Sequence, residues 1–441
     1  MKELYIIINK IFWHIVFLTN LFYIFGSEAI LYCIFRDYNS SIDCITQRLA
    51  SLNILYVKLF QAVALNNCFI DDQLNNKLLA FTDNAPWCYD DILFEDLIEM
   101  CDYYNIALHH GYETPINSGM ISLVFKGYNR ATKEQIIIKI KRKNIDTKLA
   151  EAIEQLHTFL YILSFIPFMQ QFQIAEIVNK NIGIITEQTN FRKEVTNMKL
   201  MHGNCANLKY IQIPKVYELV THRYPNIIMM SYLEGQKINE IAEEDYEGFA
   251  KTILKFALVT SIVHGTTHGD LHSGNILFIK DQTYGTKYKY KIGVLDFGIV
   301  HTFNPEYKSL LFDTLTQIFN KPPRESAAPL LKMGYIDPPN FWEKIPVEQF
   351  DNIVDVIANL IEQATNKSSQ IEICKFIFKL KEYLNSPEIS RIGLRPSDDF
   401  IKLQLVLAMS QGVTYKLSKH IFMTLADEVI NDLFPRDYYC T

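Results

Sequence analysis

A chain of 441 residues, 49% hydrophobic and 13% aromatic, has the apolar content for two or three packed lobes, which excludes an extended disordered protein. Its net charge of -6 is mild, with acidic and basic residues interspersed, and this excludes the basic footprint of a nucleic-acid binder. The eight cysteines include no CxxC pair, so neither a disulfide framework nor a zinc site is expected, and free thiols in a reducing, intracellular setting fit better.

From the N-terminus, Tyr5 to Phe25 is strongly apolar but interrupted by Asn9, Lys10, His14, Thr19 and Asn20. A membrane-spanning helix needs about 20 predominantly apolar residues. The interruptions favour a buried or membrane-surface helix over a true span, and make membrane association through this stretch an expectation. No arginine precedes Arg36 and no signal-cleavage pattern follows, which argues against an import presequence. Ile42 to Phe81 then reads as amphipathic helix.

Ile116 to Tyr128 (INSGMISLVFKGY) and Gln135 to Lys141 (QIIIKIK) read as two strands joined by a polar turn. The first contains Ser118-Gly119, where the missing glycine Cβ lets backbone approach a phosphate. The second places Lys139 within an apolar strand, where a charge needs a partner because burying it alone costs several kcal/mol. Lysines so placed in kinases pair the α/β-phosphates with a helix glutamate, and Glu154 in the following helix is one candidate. Ile211 to Val220 and Asn226 to Leu233 read as closing strands of this lobe. In a kinase-like lobe, which the motifs below resemble, Met230 and Ser231 would fall at the hinge and offer backbone groups to an adenine ring.

The strongest signal runs from His264 to Gly298. A polar turn, HGDLHSGN, leads into an apolar strand from Asn275 to Ile279. After a polar hairpin tip, a second strand runs from Lys289 into Asp296-Phe297-Gly298. Such a hairpin brings Asp270, Asn275 and Asp296 to one end, which is the arrangement phosphoryl transfer uses. Asp270 would orient a substrate hydroxyl or water, while Asn275 and Asp296 would hold Mg²⁺ against nucleotide phosphates. Oxygen donors of this kind suit a hard cation that keeps several waters. After Gly298 the chain reads as helical over 305–319, 347–364, 371–384 and 399–433. It has no APE motif, which argues against a peptide-recruiting protein kinase.

HGDLHxGN followed by DFG resembles the protein-kinase-like superfamily, in the variant with histidine in place of the usual lysine after the catalytic aspartate. Aminoglycoside/choline-kinase-like enzymes and the UbiB (ADCK) atypical kinases share that spelling. Leu52 to Gln61 (LNILYVKLFQ) resembles the LGPxxIKLGQ-type helix of the UbiB extension, and Asp83 to Pro86 its following turn, which favours UbiB. The resemblance extends from Leu52 to Ile421. It implies that Lys58 and Gln61 face the nucleotide, although Phe60 stands where the family has glycine and Asn53-Ile54 where it has Gly-Pro. It also moves the partner of Lys139 to Glu194, in QTNFRKEVTN, with Asn197 in register and Glu154 as the fallback. The family's ExD pair becomes Gln188 and Asn190, which loses two negative charges.

What the resemblance implies is an α+β, bilobal protein-kinase-like fold. A helical extension would occupy residues 1–105, a small lobe 106–235, and a mostly helical large lobe and tail 236–441. The chain would bind ATP and Mg²⁺, with Asp270, Lys139 and Glu194 catalytic and Asn275 and Asp296 on the metal. Ser118, Gly119, Lys139, Lys58, Gln61 and Met230 would contact the nucleotide. The phosphate acceptor would be a small molecule or lipid rather than a protein. The alternatives are a nucleotide-binding pseudokinase or lipid-binding accessory factor, and an aminoglycoside/choline-kinase-like enzyme.

Overall fold

The structure, a computed structural model, describes residues 2–53, 55–60, 85–166, 174–283, 286, 288–306, 309–310, 313, 321–365, 422–433 and scattered positions from 379 to 418. The chain divides into two compact units, residues 1–195 with 216–232 and residues 196–215 with 233–441.

The first unit opens with α1 (Lys2–Phe35) and α2 (Tyr38–Leu52). On α1, Phe17, Leu21, Ile24 and Glu28 are buried, the spacing of one helical stripe. That stripe packs on α2, whose Ile42, Ile45 and Leu49 are buried in turn. Arg48 of α2 reaches back to Glu28 at 3.4 Å and to the Ser27 hydroxyl at 2.7 Å, and Lys10 pairs with Glu154. The rest of α1 carries exposed apolar side chains, among them Ile8, Phe12, Ile15, Phe22, Ile30 and Ile34. By length and composition, Ile8–Phe35 is the one helix among the described residues that could cross a membrane, with a mean hydropathy of 1.5. The helix therefore does both things its composition allows: it buries one stripe and presents the remainder outward.

The antiparallel sheet of this unit follows α3 (Phe94–Tyr103). It contains β1 (Ile106–Leu108), β2 (Asn117–Ser118), β3 (Ser122–Asn129) and β4 (Gln135–Lys141). The IIIKIK alternation behaves as its period of two requires: Ile136, Ile138 and Ile140 enter the core, and Lys139 and Lys141 share the opposite face. At Gly127 a Cβ would lie 2.6 Å from the Ala107 carbonyl oxygen, so only glycine lets β1 lie against β3 there. The chain continues through α4 (Ile145–Leu163), α5 (Ile174–Gln188) and α6 (Phe191–Cys205). The division between the units falls within α6, between Val195 and Thr196.

Here the strand expected over 211–220 is corrected. Its one strand is β5 (Ile211–Gln212), which pairs in parallel within the second unit, and Val216 makes a single antiparallel bridge to Met230. Pro214 cannot donate to a ladder, and α7 (Glu218–Arg223) follows instead. Residues 196–215, read from the sequence as small lobe, thus belong to the second unit. The chain returns to the first sheet as β6 (Ile227–Ser231), which pairs with β4 and completes the order β1-β3-β4-β6, with β2 beside β3.

The second unit is built on α8 (Tyr246–Leu258), which widens into a π-helical turn over Val259–His264 and stops at Gly265, where φ is 66°. Then come β7 (Thr266–His268), β8 (Ile276–Lys280), β9 (Tyr290–Val294) and β10 (Val300–Thr302). The expected hairpin is β8 and β9, paired antiparallel from Ile276 opposite Val294 to Lys280 opposite Tyr290. Phe249 of α8 packs edge-on against Phe278 and Tyr290, each at 5.1 Å. Beyond lie α9 (Pro323–Lys332), α10 (Val347–Thr365), as expected, and α11 (Phe422–Leu433). Ion pairs Lys255–Asp432 at 2.7 Å and Lys251–Glu428 at 2.9 Å join α11 to α8. Most of the helices expected over 305–319 and 371–384, and most of the part of the 399–433 helix before residue 422, lie outside the described residues.

Candidate active site

In the first unit the alternation of β4 turns Lys139 to the face away from the core. There its Nζ donates to Glu194 Oε1 at 2.6 Å, with the Glu194 side chain only 2% exposed. The competing Glu154 pairs with Lys10, and both of those side chains are about half exposed. An exposed pair of that kind contributes little, whereas a buried carboxylate must have its cation. The ring of Phe191, one turn before Glu194, lies 5.6 Å from the Lys139 ammonium.

The departures from the family's spelling acquire physical reasons. Asn190 Oδ1 accepts the Lys193 N–H at 3.1 Å and so caps α6, a task at which asparagine and aspartate are equivalent. Gln188 lies 3.5 Å from the Lys58 ammonium, a long contact. Phe60 packs against Phe25 of α1, with ring centroids 6.1 Å apart, so its bulk is absorbed by the N-terminal helix. Gln61 lies outside the described residues.

The Ser118 side chain is held within the protein. It is 1% exposed, and its hydroxyl donates to the Ala85 carbonyl at 2.8 Å while accepting from Arg142 at 2.7 Å, so the side chain is committed to the protein. What this loop can offer a phosphate is backbone. At Gly119 an added Cβ would meet nothing closer than 3.7 Å, so sterics alone do not demand glycine. Met230 is buried on β6, opposite Ile137, two residues before Tyr232 ends this segment of the unit.

In the second unit the polar turn and the DFG turn are held together by His268. Its Nδ1 accepts the Asp270 N–H at 3.1 Å, and its Nε2 bonds the Asp296 carbonyl oxygen. An acceptor at one ring nitrogen and a donor at the other define the neutral, Nε2-protonated tautomer. Burial pushes the His268 pKa below its ordinary value near 6.5, against the pull of the Asp270 and Asp296 carboxylates. Gly269, next in the chain, has no room for a side chain: a Cβ would sit 2.5 Å from Ile299 and 2.7 Å from His301.

Asn275 follows from the same turn. Its Nδ2 donates to the Asp270 carbonyl at 3.0 Å and lies 3.0 Å from His272 Nε2, so the amide nitrogen is turned to the turn's own atoms. Asp296 Oδ1 accepts the Gly298 N–H at 2.9 Å, fixing the DFG turn. Phe297 between them is fully buried, its ring 5.4 Å from that of His268. Its carbonyl accepts from Asn197 at 2.9 Å. One amide oxygen and one carboxylate make a donor set that fits Mg²⁺, which takes few protein ligands and completes its shell with water and phosphate oxygens.

The tautomer of His268 has a measurable consequence. Unfolding frees this histidine to bind a proton below its unfolded pKa near 6.5, whereas the native form resists protonation. Its contribution is therefore full above that pH and declines as pH falls through the acid range. The variant His268→Asn should flatten the acid limb of stability, read as urea midpoints between about pH 5 and about pH 7.5. Parallel limbs in variant and parent would place the proton uptake elsewhere.

Sequence reasoning missed two groups, His268 as a tether and Arg142 as a buried anchor. The first could have been found from its place beside Asp270. The second follows a strand end where an arginine ordinarily reads as solvated.

Residues 104–327, just over half of the chain, match the ABC1 atypical kinase-like domain. A probable protein kinase UbiB from Blochmanniella pennsylvanica is 24% identical over 407 residues, covering 88% of this chain and 69% of that one. The Arabidopsis thaliana chloroplastic protein Activity of BC1 Complex Kinase 1 is 24% identical over 297 residues, covering 65% of this chain and 42% of that one. Among solved structures, a Mycobacterium tuberculosis protein in complex with erythromycin aligns with 85% of this chain and 90% of its own at 16% identity and a TM-score of 0.49. The chain spans about half the length of several curated relatives it matches. The match takes in Lys139, Glu194, Asp270, Asn275 and Asp296, and the chain belongs to the ABC1 atypical kinase-like family, the group of the UbiB and ADCK proteins.

Proposed function

We propose that this protein is an atypical kinase or ATPase that binds Mg·ATP and passes the γ-phosphate to water or to a small-molecule or lipid acceptor. The observation that carries the reading is the Lys139–Glu194 pair, a buried carboxylate holding the one strand lysine that kinase chemistry requires. Lys139 would neutralise the α/β-phosphates while Glu194 fixes its direction. Asp270 would accept the proton of the attacking hydroxyl, its backbone held by His268. Asn275 and Asp296 would hold the magnesium ion, which when bound supplies positive charge to the phosphate oxygens. The backbone of Ser118-Gly119 and that of Met230-Ser231 would border the phosphates and the adenine, with Lys58 acting from the extension. The wild-type protein tests this reading: it should hydrolyse ATP in proportion to added Mg²⁺, and a preparation that takes up no Mg·ATP sinks it.

A second reading, a nucleotide-binding pseudoenzyme, is favoured by Gln188 and Asn190, since neither carries the charge of the family's acidic pair. Thermal stabilisation by Mg·ATP without any hydrolysis would select it. The aminoglycoside/choline-kinase-like alternative gives way to the family assignment.

The apolar outer face of α1 supports association with a membrane surface, with the buried stripe retained against α2. Replacing exposed Phe12 and Ile15 together by aspartate should reduce co-flotation with liposomes by at least about tenfold, since each apolar side chain contributes roughly 1.5–3 kcal/mol when buried. Equal flotation of variant and parent would rule this face out.

A further inference from the structure

Arg142 follows β4 directly and is 6% exposed. Every nitrogen of its guanidinium is engaged. Nε donates to the Gly119 carbonyl at 3.0 Å. Nη1 donates to the Pro86 carbonyl and to Asp91 Oδ2, both at 2.9 Å. Nη2 donates to Ser118 Oγ at 2.7 Å and to the Ala85 carbonyl at 3.4 Å. An arginine has five N–H donors in a rigid fork, and this one uses the fork to gather two separate stretches of chain. One is the turn Asn117–Ser122. The other is the segment Ala85–Asp91, which precedes the family-matched region beginning at residue 104. The two are also joined directly, by Ala85 N–H to the Ser118 carbonyl at 2.7 Å and by the Ser118 hydroxyl to the Ala85 carbonyl at 2.8 Å.

Asp91 is the second fixed point. Beyond Arg142 it accepts from the Cys88 N–H at 3.1 Å and from Lys148 at 3.2 Å. Burial raises its pKa, but the Cys88 amide and the two cations outweigh that and hold the carboxyl below its usual range, so it stays charged at neutral pH.

The turn joins β2 to β3 and carries a single glycine, with space around it and no left-handed φ. Gly119 N–H donates to the Ser122 carbonyl at 2.9 Å across its tip, and the Arg142 backbone N–H donates to the Ile121 carbonyl at 2.9 Å, so the guanidinium adds the link from the Ser118-Gly119 end to the segment before it. We propose that Arg142 is a positioning residue for nucleotide phosphates, fastening the Ser118-Gly119 backbone to the Ala85–Asp91 strap so that this strap is a working part of the phosphate site. The inference rests on the nucleotide reading above and adds to it a residue and a segment outside the matched domain.

The test compares two ligands on the full-length protein, Mg·ATP and adenosine, by calorimetric titration. Adenosine has no phosphate and is indifferent to the turn, so a displaced turn weakens Mg·ATP alone, whereas general loosening weakens both. Arg142→Lys keeps the charge but cannot span the carbonyls, and should weaken Mg·ATP by about tenfold or more while adenosine changes by less than about twofold. Asp91→Asn removes the second fixed point with a smaller change in packing, and should shift the ratio in the same direction by about threefold. Affinities that are unchanged, or that fall in equal proportion for both ligands, overturn the proposal. If Arg142→Lys does not fold, the ratio for Asp91→Asn decides alone. A wild-type protein that binds neither ligand overturns the nucleotide reading itself. A wild type that binds both, with variants that keep the parental ratio, overturns only the role of Arg142 and the strap.

Discussion

Asp296→Asn should reduce magnesium-dependent ATP hydrolysis by about 10³-fold, to the floor of a steady-state assay, while leaving the fold intact. The substitution is nearly isosteric, and an asparagine oxygen can still accept the Gly298 N–H that Asp296 Oδ1 accepts at 2.9 Å. The His268 tether bonds the backbone carbonyl of residue 296, not its side chain, so it survives as well. On the proposed reading, what disappears is one negative charge that would face the magnesium ion. Turnover and its magnesium dependence should fall together, with the thermal midpoint little changed. Turnover equal to the parent's would remove Asp296 from the metal.

The second large effect is expected at Glu194. Glu194→Gln leaves the Lys139 charge, whose side chain is 13% exposed, without its carboxylate. Breaking a buried pair from one side costs about 3–5 kcal/mol. Activity should be lost along with that stability, because the lysine loses its direction as well as its counter-charge. Glu154→Gln serves as the comparison: its pair with Lys10 is about half exposed on both sides, and such pairs contribute about 1 kcal/mol or less. Urea midpoints and ATP turnover on the two variants give the answer. The reverse ranking would return the helix-glutamate role to Glu154.

The parts of this protein that were legible in the sequence are those governed by period and by local turn chemistry. The alternation in QIIIKIK announced both a strand and the face on which Lys139 would lie, because side chains in a strand alternate strictly. The β8–β9 hairpin was legible for the same reason, with apolar runs bounded by polar turns. Pattern alone did not choose between Glu154 and Glu194, since both sit on helices that follow the strand. Only the family resemblance, through a later helix, pointed to the one that is buried.

What escaped was set by contacts distant in sequence. Ser118 reads as a small polar residue beside a glycine, and nothing local says that Arg142 and Ala85 will consume its hydroxyl. Ile211 to Val220 has the composition of a strand, but Pro214 breaks it. Ile211 and Gln212 before it pair with β9, some 80 positions later in the chain. Asn190 lacks the charge of the family's aspartate and yet caps a helix, a task that depends on geometry and not on charge.

The two clasps on α1, Lys10 to Glu154 and Glu28 to Arg48, bear on how the protein should be handled at the bench. They lie 18 residues apart, a separation of about 27 Å along a helix axis, and between them runs the buried stripe of Phe17, Leu21 and Ile24, which does most of the holding. Trimming it away to improve solubility would uncover Ile42, Ile45 and Leu49 and strand Arg48 without its counter-ion. The shortened chain would exchange one sticky surface for another, and a mild detergent is the better remedy.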